Sequence, residues 1–427
     1  MDRLERVSVD TRVRDTRIDR RARIAGAALF LTNGALFANL VPRFPEIKVA
    51  IGIDNAVYGL AVAAFPAGAF LAGLAAAALV RGFGSANVAV VGTVLTGLGS
   101  IAAGLAPSTA VFVAGLFFAG AMDAFTDVAM HVHGMRVQRR YGRSIINSFH
   151  AVWSVGAILG GSMAAGAIAL GLPVGVHLSL STALFAIVSV TALWFCLPGG
   201  EERVERRSDS GTAGVGATGS GAVPGSGPGA RTVFMVVALV MIAVIGTGVE
   251  DAGNTWAALY LSGPLGAPAA LAAAGYVALV AGQFLGRVFG DRLVDRFGQR
   301  SVARVGGLVA AVGMGSALLF PTIPGTVFGF CLAGLGVATL VPAALNQADE
   351  LPGLRPGTGL TVVSWLMRLG FLLCPPLVGF IAEATELRIG LMVVPVAGAL
   401  VIVLSGALRP GPAAWPRRRN SEGPSRR

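Results

Sequence analysis

Long uncharged apolar runs alternate along the chain with short clusters of charge. Residues 24–42, 86–106 and 232–249 contain no Asp, Glu, Lys or Arg, and about 20 helical residues cover the roughly 30 Å hydrocarbon core of a bilayer. Breaks at charge, Pro and Gly predict spans at 24–42, 56–80, 86–106, 110–135, 144–170 and 174–197, then at 232–261, 269–290, 302–320, 326–348, 359–382 and 389–408. The pattern predicts an all-α integral membrane protein with twelve transmembrane helices in two six-helix pseudo-symmetric bundles. Its expected parts are a basic arm (1–23), a first bundle (24–197), a linker (198–231), a second bundle (232–408) and a basic tail (409–427). The linker is a charged start followed by a Gly/Ser/Ala/Pro tract that cannot bury a core, so it is expected to be flexible. Within it Gly214, Gly216 and Gly219 match G-x-G-x-x-G. No strand precedes them and no helix opens there, so no nucleotide site is expected.

Composition agrees. With 54% hydrophobic and 13% charged residues and a mean hydropathy of +0.73, a soluble α/β enzyme is excluded. The net charge of +11 does not point to nucleic acid, because the bases lie in short clusters between spans and form no stripe with interleaved aromatics. With the amino terminus inside, 28 of the 33 Lys and Arg fall on the cytoplasmic side, Arg43, Lys48 and Arg388 fall outside, and Arg287 and Arg368 lie within spans. This satisfies the positive-inside rule for a multi-pass protein of the cytoplasmic (inner) membrane with both termini cytoplasmic. The arm has no apolar h-region and no cleavage site follows it, so the first helix is expected to be retained. Cys196, Cys331 and Cys374 are odd in number and lie in apolar segments, which implies no disulfide framework. No P-loop, H-E-x-x-H or G-x-S-x-G occurs. No enzyme activity, cofactor or metal is expected, and an ion gradient is the remaining source of energy.

An internal repeat fixes the architecture further. An offset of 214 pairs Phe83-Gly84 with Phe297-Gly298, Gly68 with Gly282, Phe70 with Phe284, Gly92 with Gly306, Gly99 with Gly313, Pro107 with Pro321, Gly115 with Gly329, Gly120 with Gly334 and Gly156 with Gly370. Chance alignment of apolar helices would match Ala and Leu, not Pro and Gly in one register. A duplicated six-helix unit in parallel topology places its halves around an axis along the membrane normal, with a solute cavity at their interface.

Residues 290–300, Gly-Asp-Arg-Leu-Val-Asp-Arg-Phe-Gly-Gln-Arg, resemble the signature loop between helices 8 and 9 of the major facilitator superfamily, and the resemblance covers all twelve spans. More narrowly, Asp127-Val-Ala-Met130, Ser148-Phe-His150 with Trp153-Ser154 and Gly156, and Trp256-Ala-Ala-Leu-Tyr260 resemble a bacterial branch of fucose-permease-like transporters. His131 and His133 stand where that branch would have amides, Thr255 stands where an acid is usual, and Arg81-Gly82-Phe83-Gly84 lacks the signature Asp. Gly156, Gly160 and Gly161 partly resemble the glycine motif of drug/proton antiporters, with Ala157 in place of its Pro. The superfamily resemblance implies that spans 1, 2, 4, 5, 7, 8, 10 and 11 line the cavity while 3, 6, 9 and 12 face lipid.

Polar residues enter the membrane accordingly. Asp123, Asp127 and His131 are spaced four apart and form one stripe on span 4. Two carboxylates a turn apart at the bilayer centre resist joint ionisation, which suits proton exchange. His131 and His150, on spans of opposite direction, are expected at one depth and complete the set of proton-coupling candidates. Solute-binding candidates are Asn33, Asn147, Trp153, Glu250, Asp251, Asn254, Trp256, Gln283 and Arg368. Glu250 and Asp251 are expected in the outer third of span 7 beside Trp256, where acids and an aromatic ring could hold a sugar-like solute. Arg368, near mid-membrane, should either pair with a cavity acid or bind an anionic or hydroxylated solute. Asp291, Asp295, Arg296, Gly298 and Arg300 form the expected gate loop, with Asp295 placed to latch onto Arg or a helix N-terminus. The residues imply a monomeric proton-driven secondary transporter whose partners are a small polar solute, protons and the lipid bilayer, and not nucleic acid. Import of a sugar-like solute, export of a drug-like or biosynthetic product, and a non-transporting sensor or scaffold all remain open on the sequence.

Overall fold

The structure is a computed structural model that describes residues 2–141, 145–197, 230–351, 354 and 358–408. Helix side chains are described from residue 18 onward, apart from Asn147 and Ala230. The predicted linker glycines, Arg355 and the basic tail lie outside the described residues. Twelve helical segments are long and apolar enough to cross a membrane: α1 (Ile18–Ile51), α2 (Asn55–Phe83), α3 (Ser85–Gly104), α4 (Thr109–Tyr141), α5 (Ser148–Ala169), α6 (Val174–Leu193), α7 (Arg231–Ser262), α8 (Ala269–Phe297), α9 (Gln299–Leu319), α10 (Ile323–Asp349), α11 (Thr358–Ala384) and α12 (Leu387–Ala407). The backbone of the basic arm is helical and continuous with α1, from Asp2 to Ala38. The end of the bundle at which α1 begins is termed proximal below, and the other end distal.

The sequence repeat is a repeat of backbone crossings. In the first half α2 and α4 touch where Gly68 faces the carbonyl of Phe117 and Gly120 faces that of Phe65; in the second half α8 and α10 touch where Gly282 faces the carbonyl of Cys331 and Gly334 that of Leu279. Every member of the second set is a member of the first displaced by 214 positions. Glycine at such a crossing lets the backbones approach, and van der Waals packing is the main source of helix association in lipid. The same register recurs at the turns: Gly84 and Gly298 end α2 and α8 with φ of 82° and 80°, a conformation side chains with a Cβ rarely adopt. Gly120→Val or Gly334→Val is expected to drive a methyl into a carbonyl oxygen and cost at least about 1–3 kcal/mol. Purified protein should lose its monodisperse peak in size-exclusion chromatography, whereas Gly166→Val, where nothing lies within 4 Å, should leave it unchanged.

Helices α3, α6, α9 and α12 pack chiefly within their own halves. The halves meet along α5 against α8, and along the distal part of α2 against α11. At the distal end the Tyr58 hydroxyl donates to the Thr255 carbonyl at 3.0 Å, and the Asn55 backbone N–H donates to the Glu383 carboxylate at 3.0 Å. Gly59 lies against the Pro375 carbonyl there, and Gly379 against the Asn55 carbonyl. Among the described residues helices α4 and α10 form no comparable seam at the proximal end.

Two departures from the predicted elements have local causes. Helix α1 breaks after Ala38 into a 3-10 turn at Val41–Arg43 and a short helix Phe44–Ile51. Its buried Arg43 donates to the Leu172 carbonyl (2.8 Å), to Glu46 (2.9 Å) and to His177 Nδ1 (3.4 Å), while His177 Nε2 donates to Asn39 Oδ1 (2.9 Å). Asn39 therefore belongs to this distal staple and not to the cavity, and Arg43 is a buried anchor. Helix α11 breaks at Met367 between Thr358–Leu366 and Arg368–Ala384, where the Thr247 hydroxyl donates to the Met367 carbonyl at 2.7 Å.

Candidate functional site

Between the halves lies a polar layer built from both. On the first half, Asn33 of α1 is the hub: its amide donates to Asp123 of α4 at 2.8 Å, and its carbonyl oxygen accepts from the Trp153 indole of α5 at 2.8 Å. The close approach that allows this comes from Gly34, which faces the Trp153 carbonyl, and from Gly156, which faces that of Leu31. One turn proximal, His131 Nδ1 donates to the Asp127 carbonyl at 2.7 Å and lies 3.3 Å from the Asp127 carboxylate, whose side chain is 48% exposed. His131 Nε2 is 3.2 Å from His150 Nε2. Only one of those two atoms can carry the shared hydrogen. Because Nδ1 of neutral His131 is the donor to the backbone, its Nε2 accepts and His150 donates. Phe30 packs edge-on against both imidazoles, with ring centroids 5.0 and 5.7 Å away, and holds them in this arrangement. The exposed His150 meets the proximal opening.

On the second half the layer is basic. Arg287 of α8 donates across the seam to the Ser154 hydroxyl of α5 at 3.3 Å, and its guanidinium is 3.9 Å from the Glu250 carboxylate of α7. Arg368 is exposed on α11. The offset of 214 makes Arg368 the repeat mate of Ser154, and the axis along the membrane normal puts both at the depth of the Asn33–Asp123 pair. Arg287 thus reaches across to the half that carries the carboxylates and imidazoles.

These contacts separate the predicted residues. Asn33, Asp123, Asp127, His131, His150 and Trp153 come together, and Glu250 joins Arg287 in the same layer. Asp251 does not: it is buried within the second half, where the Thr255 hydroxyl approaches it at 3.4 Å. Trp256, expected to stack on a solute, is fully buried with its ring 5.1 Å from Tyr58 in the distal seam. Gln283 is buried where α8 crosses α10. Asn254 is half-buried without a hydrogen bond among the described residues, and the Asn147 side chain lies outside those described. His133 is fully buried, and neither ring nitrogen has a partner among the described residues.

A model of the Major Facilitator Superfamily matches residues 251–427. An uncharacterized transporter, y4wD, of Sinorhizobium fredii is 30% identical over 386 residues, which are 90% of this chain and 97% of that protein. The chain belongs to the major facilitator superfamily. It is therefore a multi-pass membrane protein of a non-enzymatic class of secondary transporters. The membrane protein MosC of Rhizobium meliloti is 28% identical over 390 residues, 89% of this chain and 88% of that one. Among solved structures, a D-xylose-proton symporter superposes with a TM-score of 0.68 at 14% identity, over 92% of this chain and 98% of that one. The nucleoside transporter NupG superposes with a TM-score of 0.66 at 13% identity, over 91% and 98%. These two share the superfamily fold.

In the gate loop of this superfamily member, Arg300 donates to the carbonyls of Leu408 (3.0 Å) and Gly406 (2.8 Å), tying α9 to the end of α12. Arg296 lies over the Phe297 ring at 5.4 Å, and Gly298 makes the turn. Asp291 and Asp295 are exposed and form no ion pair or hydrogen bond among the described residues. Sequence reading missed Arg287, Ser154 and Glu383. Arg287 carried a signal, a lone base inside the apolar run of α8, but its partners are distant in sequence.

Proposed function

We propose that the chain is a proton-coupled transporter of a small polar, sugar-like solute in the cytoplasmic membrane, with both termini cytoplasmic, held here in its inward-open state. The observation that carries this reading is the line Asp127–His131–His150, which leads from the polar layer to the proximal opening through groups able to take up and release a proton. Asn33, Trp153 and Asp123 beside it offer an amide, an indole N–H and a carboxylate to a hydroxylated solute. Alternating access would close the proximal mouth and open the distal seam around this fixed layer.

The test uses the full-length protein in lightly buffered proteoliposomes without an imposed gradient. Adding pentoses, hexoses and their acid derivatives in turn is expected to give a solute-dependent alkalinisation outside as solute and proton enter together. Acidification outside on solute entry would indicate proton antiport and the exporter reading. A solute that binds but shows no counterflow and no proton movement would indicate a sensor and defeat the proposal.

A further inference from the structure

We propose that the transported solute carries an anionic group, a carboxylate, and that Arg368 is the residue that holds it. The inference rests on the transport reading above and adds the charge class of the solute. A guanidinium inside a membrane bundle is costly unless it is paired, lines a wet cavity or meets a ligand, yet among the described residues Arg368 has no hydrogen bond or ion pair. Its pseudo-symmetric counterpart position is satisfied differently. Ser154, the repeat mate of Arg368, receives Arg287 at 3.3 Å, and Arg287 also has Glu250. The repeat mate of Arg287 on α2 is Gly73, which has nothing within 4 Å of where a side chain would begin. The α5–α8 seam is filled by one Arg with an acid and a hydroxyl, while the equivalent α2–α11 seam, closed distally, is open at Gly73 and has an Arg without an acid.

The surroundings suit a ligand. Arg368 and Trp365 are exposed on neighbouring turns of α11, and Trp365 lies against Phe70 of α2 with ring centroids 4.8 Å apart. Beyond the break at Met367, the apolar side chains that α11 exposes, Leu373, Leu377 and Phe380, lie a third to half a turn away from Arg368 around the helix. Arg368 therefore sits off that apolar face. A guanidinium binds carboxylate through two parallel N–H donors, and an aromatic wall excludes water from the pair. The hydroxyls of such a solute would then reach Asn33, Trp153 and Asp123 across the cavity.

The experiment is thermal unfolding of the full-length protein in lipid nanodiscs with D-gluconate, D-glucuronate, pyruvate and benzoate, each set against a neutral counterpart: sorbitol, D-glucose, acetol or benzamide. At least one carboxylate should raise the unfolding temperature while its neutral counterpart does not. The shift should vanish in Arg368→Gln, and in Arg368→Lys it should need about tenfold more ligand, since a single ammonium lacks the bidentate fork. Wild-type elution and unliganded unfolding temperature of both variants establish that they fold. The proposal is overturned if neutral members stabilise as well as acids, if the shift survives Arg368→Gln, or if no carboxylate shifts the protein at all. It is also overturned if Arg368→Gln is inactive alone but regains transport on adding Asp127→Asn, since Arg368 would then be a partner of an acid. Proton-driven uptake of a neutral sugar with no carboxylate binding would remove this inference and leave the transport reading standing. Carboxylate binding at Arg368 without any flux would do the reverse.

Discussion

Asp127→Asn is expected to abolish uphill solute accumulation while leaving counterflow between equilibrated pools close to the wild-type rate. The substitution keeps the size of the side chain and its hydrogen-bonding capacity but removes the carboxyl group proposed to exchange a proton. Exchange of labelled for unlabelled solute requires only that the loaded carrier reorient, and a permanently neutral residue 127 still permits that. Accumulation requires that a proton be bound on one side and released on the other, which Asn cannot do. The structure gives a further expectation, because His131 sits 3.3 Å from the Asp127 carboxylate. The substitution removes the carboxylate partner of His131, so His131→Gln should add little to Asp127→Asn, whereas independent roles would give additive losses. Asp295→Asn in the gate loop should behave differently and slow counterflow and accumulation together, because a latch governs reorientation and not proton loading. Uphill uptake by Asp127→Asn at the wild-type rate and pH dependence would mean that Asp127 only packs, and the proton site would have to be Asp123 or Glu250.

The physics of the bilayer made most of the fold legible. The hydrocarbon core demands uninterrupted apolar helices of about 20 residues, so twelve spans could be read from where charge is missing. Glycine carried the next level. Gly68, Gly120, Gly282 and Gly334 are identifiable as repeat mates in the sequence because backbone crossings tolerate no other residue, and they prove to be the crossings themselves. The site was legible only in part. The meeting of His131 with His150 followed from span direction alone. Asp251, Trp256 and Gln283 were read as cavity residues because they are polar or aromatic within the membrane, yet a bundle interior also holds such groups at helix contacts. Glu250 was read by its place along α7, part of a helix Ala230–Ser262 that is about 50 Å long at 1.5 Å per residue, and its approach to Arg287 of α8 could not be read from that place. Arg287 was unreadable as a site residue since Ser154 and Glu250 lie on other helices. The repeat explains why function is harder to read than fold: Asp123, Asp127 and His131 map onto Val337, Val341 and Leu345, so the chemistry lies where the two halves differ.

Gly59→Val is expected to hold the transporter open at its distal end and stop counterflow. In the distal-closed state a Cβ at position 59 would run into the Pro375 carbonyl, and across the same seam Gly379 admits the Asn55 carbonyl and the Trp256 ring. Helices α2 and α11 can therefore close only as glycine-to-backbone contacts. Once the seam has parted, a valine there meets no such obstacle. A penalty of about 1–3 kcal/mol carried by one state alone shifts the equilibrium between states roughly 5- to 150-fold, enough to make the closed form a minor species. Two polar contacts mark the same closure, Tyr58 to the Thr255 carbonyl and the Asn55 backbone N–H to Glu383, and the second supplies the assay. With Cys196, Cys331 and Cys374 replaced by Ser, the pair Asn55→Cys and Glu383→Cys should cross-link readily with a short bifunctional thiol reagent, and transport should stop until a cleavable linker is reduced. Adding Gly59→Val should lower the cross-linking rate by the same factor as the state shift, while Gly166→Val should not change it. Cross-linked protein that still exchanges solute at the unlinked rate would show that the distal seam is not a gate. Access to the Asp127–His131–His150 line would then have to be controlled from the proximal end alone, where α4 and α10 stand apart.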